Sequence, residues 1–277
     1  KRLGLGYDTV KAVKPDIVYT SMGMWGNQGP LSYQTGYAPC FAALSGLSSL
    51  VGHEGQPPAG MNVRYADSTF GAAAALATLA ALFHRRHTGV GQYIDVSAVE
   101  SMTSMIGDTL MDYTLNGNIQ TCHGNRHPEM APHGVYPCLD DEWICIAAAD
   151  DSVWRQLANA MGQPELVNDV RFKTLANRKR NEDALNQIVA AWTSECNAQT
   201  LATELQVQGV AATKSLSSVD LVSDCHLWNR EFYREVTESD GGTRPIVGPG
   251  WKMSRGAAIT AGAPCLGEHN AYIFGEI

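Results

Sequence analysis

Asp67 lies in the run Arg64-Tyr-Ala-Asp-Ser-Thr-Phe-Gly71, directly ahead of the Ala- and Leu-rich stretch Ala72–Arg86. That spacing sets a lone carboxylate at the start of a helix. A helix start presents unpaired backbone N–H groups and the positive end of the macrodipole, so an anion there is stabilised as a charged group. Such an Asp either caps the helix, a position that favours Asp and Ser, or stands available for chemistry. A second set of reactive residues is Cys122, His123, His127, His133 and Cys138. Its spacings fit no common zinc finger or ribbon and it contains no Cys-x-x-Cys pair, so no metal site is expected. His127 and His133 are then residues of a polar loop. Met102, Met105 and Met111, at near-helical spacing, read as core packing. Gly4-Leu-Gly6 is not a dinucleotide fingerprint, because no third glycine and no preceding strand accompany it.

The elements that position these residues follow from periodicity and turn chemistry. Tyr7–Lys14 reads as a helix and Pro15–Met22 as a buried strand, an α/β pattern. Gly23–Tyr37 is a long Gly- and Pro-rich loop, and Ala38–Val51 a helix ended by Gly52. After the Asp67 helix, Thr88-Gly-Val-Gly-Gln supplies a C-cap and turn. Tyr93–Val96 is a strand, and Ser97-Ala-Val-Glu100 is a capping box that opens a helix through about Leu115. Asn116–His133 is a second long loop. Beyond it, Gly134–Ala149 alternates like a hairpin around Leu139-Asp-Asp-Glu, which leaves Asp140, Asp141 and Glu142 solvated at its turn. Helical patterns follow at Asp151–Met161, Asn181–Thr193 and Ala198–Val207. A strand at Ala211–Lys214, a Ser-capped turn at Ser217, and a sheet pair from Phe232–Thr237 and Thr243–Pro249 complete the chain. The expected division is a larger α/β part over 1–120, a loop or linker over 121–133, a smaller α+β part over 134–255, and a return to the larger part over 256–277.

The 277 residues suffice for one large or two modest domains, and 44% hydrophobic with 17% charged residues marks a globular chain. A net charge of −8 leaves no basic stripe for nucleic acid. Arg85-Arg86-His87 and Arg178-Lys179-Arg180 read as solvated helix ends or faces. No apolar run approaches the roughly 20 residues of a bilayer span, and no signal peptide is evident. Seven irregularly spaced cysteines read as reduced thiols, and the expected location is the cytoplasm. The opening Lys1-Arg-Leu-Gly-Leu-Gly, without an initiator Met, reads as if it begins inside a fold.

An ordered set of segments carries a resemblance over nearly the whole chain. They are Leu3-Gly-Leu-Gly-Tyr-Asp, Lys14-Pro-Asp-Ile-Val-Tyr-Thr-Ser, Gly26-Asn-Gln-Gly-Pro and Asp67-Ser-Thr-Phe-Gly-Ala. His84-Arg-Arg-His-Thr-Gly-Val-Gly-Gln-Tyr-Ile-Asp-Val-Ser and Ala263-Pro-Cys-Leu-Gly-Glu-His-Asn continue it. In these the chain resembles family III CoA-transferases, the formyl-CoA and carnitine CoA-transferase (CaiB/BaiF) type. The resemblance implies a Rossmann-like large domain, lacking its amino-terminal part here, plus a smaller α+β domain, in an interlocked dimer when full length.

The resemblance further implies that Asp67 is the nucleophile, with Tyr37 lining the same site and Arg2 contacting the nucleotide part of CoA. Related racemases carry His at the Tyr37 position. A neutral Tyr is a poor base for proton abstraction α to a thioester, so transfer is favoured over racemisation. The implied reaction passes through an aspartyl–acyl anhydride and an aspartyl-CoA thioester, with backbone N–H groups around Ser68–Phe70 as oxyanion donors. CoA is a substrate, and no permanently bound cofactor is expected.

The loop implied to shield the intermediate from water matches Gly124-Asn125-Arg126-His127-Pro128. It lacks the consecutive glycines of formyl-CoA transferases, which counts against a closing lid and a formate or oxalate substrate. Thr35 replaces a Lys used toward CoA in some members, and Arg64 and Arg126 are possible anchors for a dicarboxylate. Glu268 and His269 match a feature near the carboxyl end and are assigned only a helix start. Little activity is expected of these 277 residues without the amino-terminal segment of the family. A racemase-like epimerase, or a non-catalytic fragment that associates with a CoA-transferase, are the alternatives.

Overall fold

The computed structural model describes residues 3–60, 65–239, 241–256 and 259–275. Helix α1 (Tyr7–Val13) leads into strand β1 (Tyr19–Gly23). Strand β2 (Tyr93–Ser97) pairs with it in parallel, Tyr19 opposite Tyr93 and Gly23 opposite Ser97. Parallel neighbours require a crossover. Here it runs through α2 (Ala38–Leu44) and the 24-residue α3 (Tyr65–Thr88).

The buried side of α3 is built from small residues, Ala66, Ala74 and Ala81. Between them Thr78 Oγ1 meets Thr20 Oγ1 of β1 at 2.7 Å, and Arg85 donates to the Asp16 carbonyl at 3.5 Å. Alanines at this spacing let a helix lie close against strands. The opposite side carries Leu76, Leu79 and Phe83 into the open, at 72%, 64% and 68% exposure. This corrects the sequence reading of apolar length. The helix extends seven residues ahead of Ala72 and is long and apolar enough, by length and composition, to cross a membrane. Its alanine face and its contacts with β1 account for it as a packed helix of an α/β layer.

Two expected helices are broken. Gly46, at φ +87°, stops α2 at Leu44, and a 3-10 turn covers Leu47–Leu50. Ser97 Oγ accepts the Glu100 amide at 3.3 Å and so opens α4 (Ala98–Thr103). A 3-10 turn at Ser104–Ile106 then separates α4 from α5 (Gly107–Asn116). Met24, Ala38, Phe41, Ala66, Ala98, Val99 and Met102 form one buried cluster under these elements.

Gly91 shows how tightly the β1–β2 layer closes: a Cβ there would lie 2.1 Å from the Ile17 carbonyl oxygen. Backbone atoms cannot yield as a flexible side chain would. Gly91→Ala is therefore expected to destabilise the protein by about 3 kcal/mol or more, in the range of overpacked sites, read as a lowered denaturant midpoint.

The second half folds around a separate buried cluster. Strands β3 (His133–Pro137), β4 (Trp143–Ala147) and, after three long helices, β5 (Ala211–Lys214) form an antiparallel sheet in the order β3-β4-β5. The helices α6 (Asp151–Ala160), α8 (Glu182–Thr193) and α9 (Ala198–Val207) lie within a residue or so of their expected limits. The short α7 (Leu175–Arg180) precedes α8. Ile144, Ile146, Trp154, Leu157, Phe172, Leu185, Val189 and Leu205 fill the interior.

Asp140 and Asp141 are exposed at the hairpin turn, but Glu142 is not solvated as expected. Lys214 donates to one of its oxygens and to Asp220, and the other oxygen is buried without a partner among the described residues. Ser217 and Asp220 form a reciprocal capping box on α10 (Ser218–Ser223). Helix α11 (Cys225–Asn229), the hairpin of β6 (Tyr233–Thr237) with β7 (Thr243–Val247), and α12 (Asn270–Gly275) follow. All seven cysteines are free. The mixed α/β architecture expected from the sequence is present.

Candidate active site

Asp67 occupies the first turn of α3 and is exposed. It is not the N-cap, because Tyr65 and Ala66 are already helical. Among the described residues no hydrogen bond or ion pair engages its carboxylate. The position of the helix start also bears on the expected oxyanion donors. The amides of Thr69 and Phe70 fall within the i→i−4 ladder and are not free to meet an oxyanion. Arg64 and Arg2 lie outside the described residues.

Tyr37 sits at the N-cap position of α2. Its carbonyl accepts the amides of Cys40 at 2.8 Å and Phe41 at 3.2 Å, while its ring is 85% exposed and makes no cap hydrogen bond. The neighbours of Tyr37 and Asp67 in sequence, Ala38 and Ala66, share one buried cluster, and Phe41 meets Phe70 edge-on at 6.3 Å. The packing of α2 on α3 thus fixes the two candidate residues on adjoining helix starts.

Gly124, Asn125 and His127 belong to a different neighbourhood. Gly124 takes a left-handed conformation at φ +62°, and its amide donates to the Gly52 carbonyl at 2.9 Å. The Asn125 carbonyl accepts from His133 Nδ1 at 2.6 Å, and the His127 and His133 rings stand 5.3 Å apart. Gly124 and Asn125, with His53, Glu54, Arg126 and Tyr136, line a polar cavity of about 740 Å³. Burial, and then the nearby Glu182 carboxylate, push the Tyr136 phenol far above its ordinary range, so it stays a neutral donor to Asn186 Oδ1 at 2.7 Å. Neither Asp67 nor Tyr37 lies on the wall of that cavity. His127 lines a neighbouring cavity of about 540 Å³ together with Asp112, Lys179 and Glu182.

The structure therefore seats Asp67 and Tyr37 on two helices that pack together, whereas Gly124, Asn125 and His127 line cavities whose walls include neither. Arg126, a possible dicarboxylate anchor by sequence, is held by Glu54 at 2.9 Å and by Asp183, with Glu182 at 4.0 Å. Its charge is compensated within the protein. The cysteines and histidines considered for zinc go to different places: Cys122 Sγ contacts the Ser49 carbonyl at 3.2 Å, whereas Cys138 joins the second buried cluster. Glu268 accepts the Cys265 amide at 2.6 Å just ahead of α12.

Sequence reasoning missed the residues that hold the 124–133 segment. Arg178 and Lys179 come from a cluster read as solvated, yet Arg178 has no exposed surface and Glu182 is 4% exposed. No local signal marks Arg178, because its partners Ala131, Asp151 and Phe172 are distant or non-periodic in sequence.

The profile of CoA-transferase family III matches residues 1–270. The succinyl-CoA–D-citramalate CoA-transferase of Chloroflexus aurantiacus is 31% identical over 99% of this chain and 68% of its own length. A probable CoA-transferase of Mycobacterium tuberculosis is 35% identical over 84% of this chain, which spans only 30% of that protein. The crystal structure of a CaiB/BaiF family protein from Brucella suis superposes with a TM-score of 0.89 at 28% identity. That likeness covers 99% of this chain and 71% of the other. The chain belongs to family III of the CoA-transferases, a family of CoA-transferring enzymes.

Proposed function

We propose that the protein transfers CoA from an acyl-CoA to a carboxylic acid, with the Asp67 carboxylate as nucleophile. The observation that carries this reading is the exposed carboxylate at the first turn of α3, unengaged among the described residues, in a chain of this family. The carboxylate adds to the thioester carbonyl and the C–S bond breaks, giving an aspartyl–acyl anhydride and CoA thiolate. The thiolate attacks the Asp67 carbonyl and releases the donor acid, leaving an aspartyl-CoA thioester. The acceptor carboxylate reverses these two steps, takes CoA and restores Asp67. Each step departs from an activated carbonyl, which is the advantage of covalent catalysis.

In this reading Tyr37 lines the acyl site, Arg2 contacts CoA, and the segment of Gly124, Asn125 and His127 walls the site against water. A homodimer, a cytoplasmic location and the division into a large part (1–120, 256–277) and a small part (134–255) belong to the same proposal. The donor class we favour is a dicarboxylyl-CoA such as succinyl-CoA, supported by the C. aurantiacus relative. Acid quench after incubation with succinyl-CoA, followed by peptide mass spectrometry, is expected to find CoA attached through a thioester to the Asp67 peptide. Deuterium uptake at the acyl α-carbon with no such adduct and no CoA exchange would instead establish an epimerase.

A further inference from the structure

We infer that Lys179 is a positioning residue of the transfer reaction: with its neighbour Arg178 it clamps the 124–133 segment into a fixed wall. The inference rests on the proposed placement of that segment at the acyl site. The segment has almost no regular structure of its own, apart from a bridge between His127 and Met130. Its carbonyls are instead captured from outside. Lys179 Nζ donates to the His127 carbonyl at 2.7 Å, and Arg178 Nε donates to the Ala131 carbonyl at 2.7 Å. Two consecutive cations of α7 thus grip the segment at points four residues apart. His133 holds the Asn125 carbonyl, and the Gly52 carbonyl holds the Gly124 amide.

The clamp is built from groups withdrawn from water. Lys179 Nζ gives a second hydrogen bond to Glu182 Oε2 at 2.7 Å, and Glu182 is only 4% exposed. Glu182 Oε1 is buried with no partner among the described residues. A carboxylate in that state needs its cations, Lys179 at 2.7 Å and Arg126 at 4.0 Å, so Lys179 is held in place by Glu182 and the segment by Lys179. Charge-assisted bonds of this kind are the strong ones, and swinging the segment away would break several at once. A loop rich in consecutive glycines is free to move, whereas this one is held still.

The consequence is chemical. If water reaches the aspartyl–acyl anhydride, it adds to the acyl carbonyl and the Asp67 carboxylate leaves. The net reaction is acyl-CoA and water giving the free acid and CoA. Fixing the wall therefore sets the partition between transfer and hydrolysis.

Two variants test this in a preparation that transfers CoA: Lys179→Met, and Lys179→Met combined with Glu182→Gln, which leaves no buried carboxylate unpaired. Hydrogen exchange at amides 125–131 is expected to rise about tenfold, the effect of losing roughly one such hydrogen bond, while exchange across 65–88 stays unchanged. The ratio of hydrolysed to transferred acyl groups rises severalfold and kcat for transfer falls, with KM for acyl-CoA little moved. Lys179→Arg, which keeps a donor toward the carbonyl, recovers most of the ratio. Unchanged exchange in both variants would show that Lys179 clamps nothing. Raised exchange with an unchanged ratio would show a clamp remote from the acyl group, overturning the role in transfer while leaving Asp67 chemistry intact. Loss of the aspartyl-CoA adduct in the unmodified protein would overturn the underlying reading instead.

Discussion

Asp67→Asn is expected to lower CoA transfer by about 10⁴-fold or more, the scale seen when a catalytic nucleophile is removed. The amide has nearly the shape of the carboxylate, but its nitrogen lone pair is delocalised and its oxygen carries no full charge. It is too weak a nucleophile to displace CoA thiolate from a thioester, and it cannot form the aspartyl–acyl anhydride. The framework should be untouched, because residue 67 is exposed and the packing of α3 rests on Ala66, Ala74 and Ala81. Removing one acid from the first turn of a helix costs below about 1 kcal/mol. The decisive measurement pairs transfer rate with thermal midpoint. A lost rate at a nearly constant midpoint assigns the carboxylate to chemistry. Transfer at near-normal rate in the amide variant would remove Asp67 from the mechanism.

Arg178→Met is expected to cost about 2–4 kcal/mol of stability, the scale of stranding two buried carbonyls. The guanidinium has no exposed surface and spends its donors on three different groups: the Ala131 carbonyl at 2.7 Å, the Phe172 carbonyl at 3.1 Å and Asp151 at 2.7 Å. It also stands 5.6 Å from the centre of the Trp154 ring. Methionine fills part of the volume but leaves two buried carbonyls without donors, which is the costly direction of the hydrogen-bond balance. Lysine would rescue little, since one ammonium cannot reproduce the planar fork. Arg180→Met, two positions away and exposed, should shift stability by no more than about 0.5 kcal/mol. Denaturation followed by circular dichroism separates the two outcomes, and equal effects would refute the buried-network account.

Much of this architecture is legible in the residues themselves, for local reasons. Ala198–Val207 and Ala211–Lys214 fall where periodicity and turn residues put them, and Ser217 caps its turn as expected, with Asp220 completing a capping box. Asp67 before an alanine-rich run likewise announces a helix start, although the helix begins ahead of it. What escapes the sequence is set by partners far along the chain. Arg178-Lys179-Arg180 looks like a solvated basic run, and only the positions of Ala131, Phe172 and His127 turn two of its members inward. Glu142 reads as a turn residue until Lys214 arrives on the next strand. Nor does any periodicity reveal that Gly124 and Asn125 line a cavity from which Asp67 and Tyr37 are absent.

The two buried clusters share no residue: one spans Met24 to Met102 and the other Ala131 to Ala212. The scaffolds of the proposed nucleophile and of the proposed wall are therefore expected to fail one at a time. On the proposed mechanism, damage to the second would leave Asp67 seated on an intact helix with its anhydride open to hydrolysis, turning a group-transfer catalyst into a wasteful thioesterase rather than a dead protein.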